Sequence, residues 1–211
     1  VAAIGPAGEN LVRYASIISD LYCAAGRCGM GAVMGSKNLK AIAVRGTMDI
    51  KIAHPAEALE YNKHIIDMVV SAKVSKTQGR LGTPFIWGAT NSWGGIRTRN
   101  FQTNQFENCD AIEPEAIDEY AIGYAGCFGC QVHCRARYII PSGEYAGVYD
   151  EGHEYTVQGA LTAEPGCSDI IALLSGSHLL NKYGIDCLEA GSMIAWAREL
   201  YEAGILTDKD T

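Results

Sequence analysis

The chain has 211 residues, a net charge of -7 and 48% hydrophobic residues. That is enough for a sizeable core, as one large domain or two small ones, and it lacks the basic surface of a nucleic-acid binder. No run of 18 apolar residues predicts a membrane span, and no signal-peptide pattern opens the chain. Eight cysteines, three of them at metal-ligand spacing, fit the reducing cytoplasm better than a disulfide scaffold. The chain opens at Val1 and closes after Asp208-Lys209-Asp210, which reads as an internal piece of a longer protein.

Taken in order, Ile4 to Asn10 is turn-rich, and Leu11 to Ile18 is apolar and ambiguous between strand and helix. Cys23 to Lys40 is the most glycine-dense stretch. Its small residues let backbone approach a ligand closely, its N–H groups favour an anion, and Arg27 and Lys37 can neutralise one. It satisfies neither the P-loop nor the dinucleotide fingerprint. Leu39 to Val44 reads as a buried strand. Pro55 opens a helix with Leu59, Ile65, Ile66, Val69 and Val70 on one apolar face. Gly82 through Gly95 reads as a loop, and Arg97 and Arg99 as solvated charges. Pro114 opens a short helix to about Tyr120, and Gly143 to Gly152 is turn-like. Ser168 or Asp169 caps a helix that closes near Tyr183-Gly184. Asp186-x-x-Glu189 resembles a capping box for a last helix, which stops at Gly204.

The chemistry concentrates in Cys127-Phe128-Gly129-Cys130-Gln131-Val132-His133-Cys134. Thiolates at C-x-x-C-x-x-x-C spacing can converge on one soft metal centre, and iron–sulfur clusters take four of them. A [4Fe–4S] cluster with a distant fourth ligand is the expectation. A zinc site including His133 stays open, although no second C-x-x-C pair is present. The cysteines are too crowded to pair as disulfides at normal Cα separations.

Six segments follow one another along the chain: Ala24-Ala25-Gly26-Arg27 with Gly31 to Ile42, Gly82-Thr83-Pro84, Thr98-Arg99-Asn100-Phe101, the cysteine loop, Gly152-x-Glu154-Tyr155 and Tyr183-Gly184-Ile185-Asp186. In that order they resemble the tungsten-containing aldehyde:ferredoxin oxidoreductase family. The resemblance implies a fragment of a larger multi-domain enzyme: α/β at the N-terminal end, the tail of a pterin-binding domain, then mainly α-helical domains. Residues 1–48 would end the pterin-binding domain, 49–160 would form a helical domain carrying the cysteine loop, and 161–211 would start the second helical domain.

By position the resemblance implies a tungsten (or molybdenum) bis-pterin centre. Ala24, Ala25 and Arg27 would meet the cofactor and its phosphates, and Ile185 and Asp186 the second pterin. Asn181 stands where the family often has another aspartate. Cys127, Cys130 and Cys134 would hold the [4Fe–4S] cluster, with the fourth cysteine past Thr211. Glu154 would be the active-site carboxylate, with Glu151 and His153 as nearby substitutes; His153 stands where many members carry proline. The glutamate of an iron-bridging Glu-x-x-His motif is missing at Ser175, which leaves His178 an ordinary helix residue.

The implied activity is oxidation of an aldehyde to a carboxylic acid, with ferredoxin or an iron–sulfur partner subunit as acceptor, in an oligomeric cytoplasmic enzyme. The alternative within the family is the catalytic subunit of an ATP-independent benzoyl-CoA-type (aryl-CoA) reductase. From other classes, the residues also allow an iron–sulfur electron-transfer module or a zinc-stapled interaction domain. The glycine-rich cradle argues against a pure electron carrier.

Overall fold

The computed structural model describes residues 1–20 and 22–210; Leu21 and Thr211, the last residue of the third expected domain, lie outside the described residues. Strands β1 (Ala2–Ile4), β2 (Ile17–Ser19), β3 (Cys23–Ala25) and β4 (Ala41–Ile42) form an antiparallel sheet in the order β3-β2-β1-β4, with helices α1 (Pro6–Glu9) and α2 (Met30–Ser36) between them. The register is Ala2 opposite Ser19 and Ile17 opposite Ala25. Part of the small-residue run serves packing. A Cβ on Gly31 would come within 2.5 Å of the Ser16 carbonyl oxygen, and one on Gly35 would overlap that of Gly8. The expected buried strand over 39–44 shrinks to β4, whose residues are exposed. It pairs only with β1, so its other edge faces no neighbour among the described residues.

Helices α3 (Pro55–Ser71) and α4 (Lys73–Leu81) follow. Pro55 opens α3 as its composition predicts, but no residue of α3 is buried, and Leu59, Ile65 and Val70 stay exposed. The stretch expected to be a loop is helical instead: a 3-10 turn over Thr83–Ile86 leads into α5 (Trp87–Ser92). Six residues are too few for a helical period to show. Burial of Trp87 drives this element, because its ring sits in a core with Ile96, Phe106, Cys109, Ile112 and Ala163.

After α6 (Pro114–Asp118) come β5 (Ala121–Ala125), β6 (Arg135–Ile139) and β7 (Tyr149–Glu151), an antiparallel sheet in the order β5-β6-β7. The cysteine loop is therefore a hairpin connection between β5 and β6 rather than a loop among helices. The turn expected over 143–152 contains β7. In β6, buried Ala136 and Tyr138 alternate with solvent-facing Arg137 and Ile139, the period-2 pattern of a half-buried strand. Helices α7 (Tyr155–Leu161), α8 (Ile170–Tyr183) and α9 (Cys187–Glu202) complete the chain. Tyr138, Ile140, Leu161, Leu173 and Leu174 form the second core, and the Tyr138 hydroxyl donates to the Leu174 carbonyl at 3.1 Å. Asp169 caps α8 as expected, accepting from the Ile171 N–H at 2.7 Å. Gly184 ends it at φ +69°, in the left-handed region that favours glycine.

The order of small sheets and then mostly helices is the α/β-then-helical architecture expected. Among the described residues no helix is long and apolar enough to cross a membrane.

Candidate functional site

Two segments far apart in sequence meet at the first sheet. Ser16 N–H donates to the Gly184 carbonyl at 2.8 Å, Asp186 N–H donates to the Tyr14 carbonyl at 3.0 Å, and Ala15 bridges to Ile185. This backbone seam sets Ile185 and Asp186 beside Arg27, which follows β3. Arg27 Nη1 lies 3.3 Å from Asp186 Oδ2, and its Nη2 reaches Glu189 Oε1 at 2.7 Å. Half of the expected capping box forms. Asp186 Oδ1 accepts from the Leu188 N–H at 3.3 Å, but Glu189 turns to Arg27 and the Asp186 N–H goes to Tyr14.

Asp186 is only 4% exposed, yet its Oδ2 has no hydrogen-bond partner among the described residues. Arg27 is close enough to attract it but not aligned to donate, so the oxygen is a buried acceptor left free. Such an atom is costly unless something donates to it. Beside it, β3 is a sheet edge carrying the exposed methyl groups of Ala24 and Ala25. A sheet edge presents unpaired N–H and C=O groups. A free carboxylate oxygen, an exposed cation and a flat edge with small side chains fit a flat heterocycle with ring N–H donors and a phosphate. The residues present therefore fit a pterin. Asn181 does not join this group: it lines two adjoining clefts, one with Tyr22, Tyr149, Asp150 and His178, the other with Val1, Ala3 and Asp20.

Cys127, Cys130 and Cys134 share the β5–β6 connection, and all three thiols are free. The Cys130 N–H donates to the Cys127 carbonyl at 3.0 Å, Gly129 and His133 adopt positive φ, and Phe128 stands fully exposed at the tip. Burial first, and then the negative charge of Glu154, push the Cys134 thiol up. Among the described residues no three Cys, His, Asp or Glu side chains are already gathered as a metal site. What the loop offers is three soft donors on eight residues with no disulfide competing for them. That donor set fits an iron–sulfur cluster, whose iron would reverse the upward push by stabilising thiolate. Arg135 ties this loop to β3. Its Nη1 lies 3.3 Å from Cys23 Sγ, and its Nη2 donates to the Gly126 carbonyl at 3.2 Å.

Glu154 is the N-cap residue of α7. Thr83 donates its hydroxyl to Glu154 Oε2 and accepts the Tyr155 N–H at 2.8 Å, fixing the carboxylate beside the cysteine loop. Glu151 is instead a buried structural anion, paired with Arg135 at 3.2 Å and Arg137 at 2.8 Å. His153 is buried edge-on to Tyr138, its Nδ1 lacks a partner, and burial pushes its pKa down to about 4. An unfolded histidine titrates near 6.5, so between those values the unfolded chain binds the proton and stability falls as pH drops. At ~1.4 kcal/mol per pH unit the loss is on the order of 3 kcal/mol. The His153→Phe variant should show a flatter decline of Tm between pH 7 and pH 4 than the parent (scale as above); parallel declines would remove His153 as the cause.

Sequence reasoning missed two buried carboxylates, Glu164 and Asp150. Glu164 is fully buried, accepting from Arg97 Nη2 at 3.1 Å and from the Ser192 hydroxyl at 2.7 Å. Its place after Ala160-Leu161-Thr162-Ala163, a run with no charged side chain, was the available signal. Arg97 is thus an ion-pair partner rather than a solvated charge, and Arg99 pairs with Glu107. Nor is His178 an ordinary helix residue: its Nδ1 lies 3.1 Å from the buried Asp150 carboxylate. Burial holds that carboxyl above its usual range.

Comparison with known proteins bears on the same segments. Residues 1–46 match the family description "Aldehyde ferredoxin oxidoreductase, N-terminal domain", and residues 60–211 match "Aldehyde ferredoxin oxidoreductase, domains 2 & 3". The tungsten-containing aldehyde ferredoxin oxidoreductase of Pyrococcus abyssi is 38% identical over 213 residues, covering 100% of this chain and 34% of that protein. The "Aliphatic sulfonate oxidoreductase, WOR-like subunit" of Pyrococcus furiosus is 30% identical over 215 residues, covering 98% of this chain and 33% of that one. Among solved structures, the active-site complex BamBC of benzoyl coenzyme A reductase with 1,5 dienoyl-CoA superposes with a TM-score of 0.74 at 28% identity. That likeness covers 99% of this chain and 33% of that one. The chain spans about a third of the length of the relatives it matches. With both family descriptions matched in order over nearly all its residues, the chain belongs to the aldehyde ferredoxin oxidoreductase family.

Proposed function

We propose that this chain is part of a cytoplasmic, oligomeric oxidoreductase that converts an aldehyde and water to a carboxylic acid, two protons and two electrons. The observation that carries this reading is Asp186: a buried carboxylate oxygen left free, beside Arg27 and an exposed sheet edge, one arginine away from a three-cysteine loop. A tungsten (or molybdenum) bis-pterin centre and a [4Fe–4S] cluster would supply the two-electron redox chemistry and single-electron transfer to ferredoxin or a partner subunit.

The chain's own residues do the placing. Ala24, Ala25 and Arg27 offer an edge and a cation to one side of the cofactor, and Ile185 and Asp186 an apolar contact and an acceptor to the other. Cys127, Cys130 and Cys134 would be three of four cluster ligands, the fourth lying in the remainder of the protein. Glu154, held by Thr83, would take the proton released at the reacting carbon. Residues 1–48 would close the pterin-binding domain, 49–160 would carry the cluster loop, and 161–211 would begin the second helical domain.

One observation favours a second reading, an aryl-CoA reductase subunit: the likeness to the benzoyl coenzyme A reductase complex extends over 99% of this chain. The experiment that tests the proposal is elemental analysis of the full-length protein purified without oxygen. One tungsten or molybdenum with about four irons per chain is expected. Zinc alone would overturn the proposal, and iron alone would leave an electron carrier. Cys130→Ser should lower iron to less than half of the parent's while tungsten is measured alongside; unchanged iron would remove Cys130 from the cluster. Ferredoxin reduction with aldehydes, set against reduction of an aryl-CoA, separates the two enzyme readings.

A further inference from the structure

Arg135 stands at the base of the cysteine loop, where β6 begins. From Ala121 through Cys134 the chain carries no Lys, Arg, Asp or Glu, so Arg135 is the first permanent charge after the three proposed cluster ligands. It spans the base of the loop. Its own backbone follows Cys134, while its Nη2 donates at 3.2 Å to the carbonyl of Gly126, the residue before Cys127. Its Nη1 donates to Cys23 Sγ on β3 at 3.3 Å. The side chain is only 16% exposed, and its Nε is buried with no acceptor among the described residues.

We propose that Arg135 sets the reduction potential of the cluster held by Cys127, Cys130 and Cys134, its fixed positive charge favouring the reduced cluster. The proposal rests on the cluster reading above and adds to it the residue that tunes the cluster. Ion pairing does not cancel the charge. Glu151 Oε1 lies 3.2 Å from Arg135 Nη2, but Arg137 Nε already donates to Oε2 of the same carboxylate at 2.8 Å. Two cations share one anion, so positive charge is left in excess. Without Arg135 the buried Glu151 would keep Arg137 as its partner, so balancing that carboxylate does not account for Arg135. Reduction adds one electron to the cluster, supplied by the proposed two-electron centre one at a time, with no bond made or broken. The potential of such a step follows net charge, hydrogen bonds to sulfur and exposure to water. Arg135 bears on the first two, as a cation held largely out of water and as an N–H donor still free for a sulfur acceptor.

The test uses the full-length protein purified without oxygen. The cluster is titrated with dithionite and redox mediators, and its reduced form is read by electron paramagnetic resonance. Arg135→Gln should lower the midpoint by at least about 59 mV, a tenfold shift of a one-electron equilibrium. Arg135→Lys keeps the charge but not the planar fork of donors, and should lower the midpoint by less than half as much. Arg137→Gln is the control for the ion-pair network. It removes a half-exposed cation that donates to the same carboxylate, and it too should shift the midpoint by less than half as much. A midpoint unchanged in Arg135→Gln, or lowered equally in Arg137→Gln, would overturn the proposal.

Iron content separates this outcome from failure of the cluster reading. If the parent and all three variants hold about four irons and share one midpoint, the cluster stands and the assignment to Arg135 fails. A parent without iron overturns the cluster reading and the assignment together. If Arg135→Gln alone takes up too little iron to titrate, Arg135→Lys carries the test, and a midpoint equal to the parent's would overturn the proposal. Loss of iron in both Arg135 variants would make the residue a structural tie between the loop and β3, and would overturn it as well.

Discussion

Replacing Asp186 with asparagine should strip tungsten or molybdenum from the full-length protein while leaving the protein folded. The two oxygens of Asp186 have separate duties. Oδ1 caps α9 through the Leu188 N–H, and asparagine caps a helix as well as aspartate does. Oδ2 is the free acceptor beside Arg27. With the amide oxygen capping, an NH2 group takes the place of Oδ2. It then turns donors toward the Arg27 guanidinium and toward any ring N–H that had been bound. Repulsion replaces attraction at a buried position, where an unsatisfied or mismatched polar group costs about 1–3 kcal/mol. Arg27, also held by Glu189, loses half of its negative surroundings. Metal content, measured by elemental analysis, should fall at least tenfold, since 1.4 kcal/mol is already a factor of ten in binding (scale as above). Asp186→Ala adds loss of the cap, about 1 kcal/mol, which a domain with 5–15 kcal/mol of stability survives. Far-UV circular dichroism distinguishes the causes. Metal loss with native helix content supports a cofactor-facing Asp186; full metal content in Asp186→Asn would remove it from the site.

What could be read from the residues depended on whether their signal was local. The caps of α8 and the start of α3 follow from single side chains, Asp169 and Pro55, acting within one turn. The grouping of Cys127, Cys130 and Cys134 on one loop follows from spacing alone. The elements that escaped are set by partners distant in sequence. Trp87 makes a helix of a glycine-rich stretch because it fills a core with Phe106 and Ala163. Arg97 looked solvated because its partner Glu164 lies far along the chain. The cysteine loop became a hairpin because β6 also pairs with β7, a strand hidden in a stretch rich in turn formers. The apolar face of α3 was legible and is real, but the described residues do not cover it. Periodicity predicts a face; it does not say what lies against it.

Glu154→Gln should leave metal content and fold intact and lower kcat by about 10²–10⁴, the range for a positioned proton acceptor. The substitution is nearly isosteric. Glutamine keeps an oxygen to accept the Thr83 hydroxyl, and that hydroxyl can still accept the Tyr155 N–H at 2.8 Å, so the start of α7 has no reason to move. What disappears is a base able to hold the proton released when an aldehyde carbon becomes a carboxyl carbon. The amide also removes a negative charge beside Cys134, which Glu154 helps to keep protonated. Iron content should therefore be unchanged or slightly higher, opposite in sign to the effect on turnover. That opposition matters, because a general loss of structure would lower both together. Thr83 supplies the second arm as a positioning residue. Thr83→Val removes the hydroxyl that orients the carboxylate, and it should lower kcat by less than Glu154→Gln with little change in KM. Thr83→Ser, which restores the hydroxyl, should recover most of the loss. A merely structural threonine would not be rescued through its oxygen alone. Turnover in Glu154→Gln equal to that of the parent would take Glu154 out of the mechanism and leave the proton to another group.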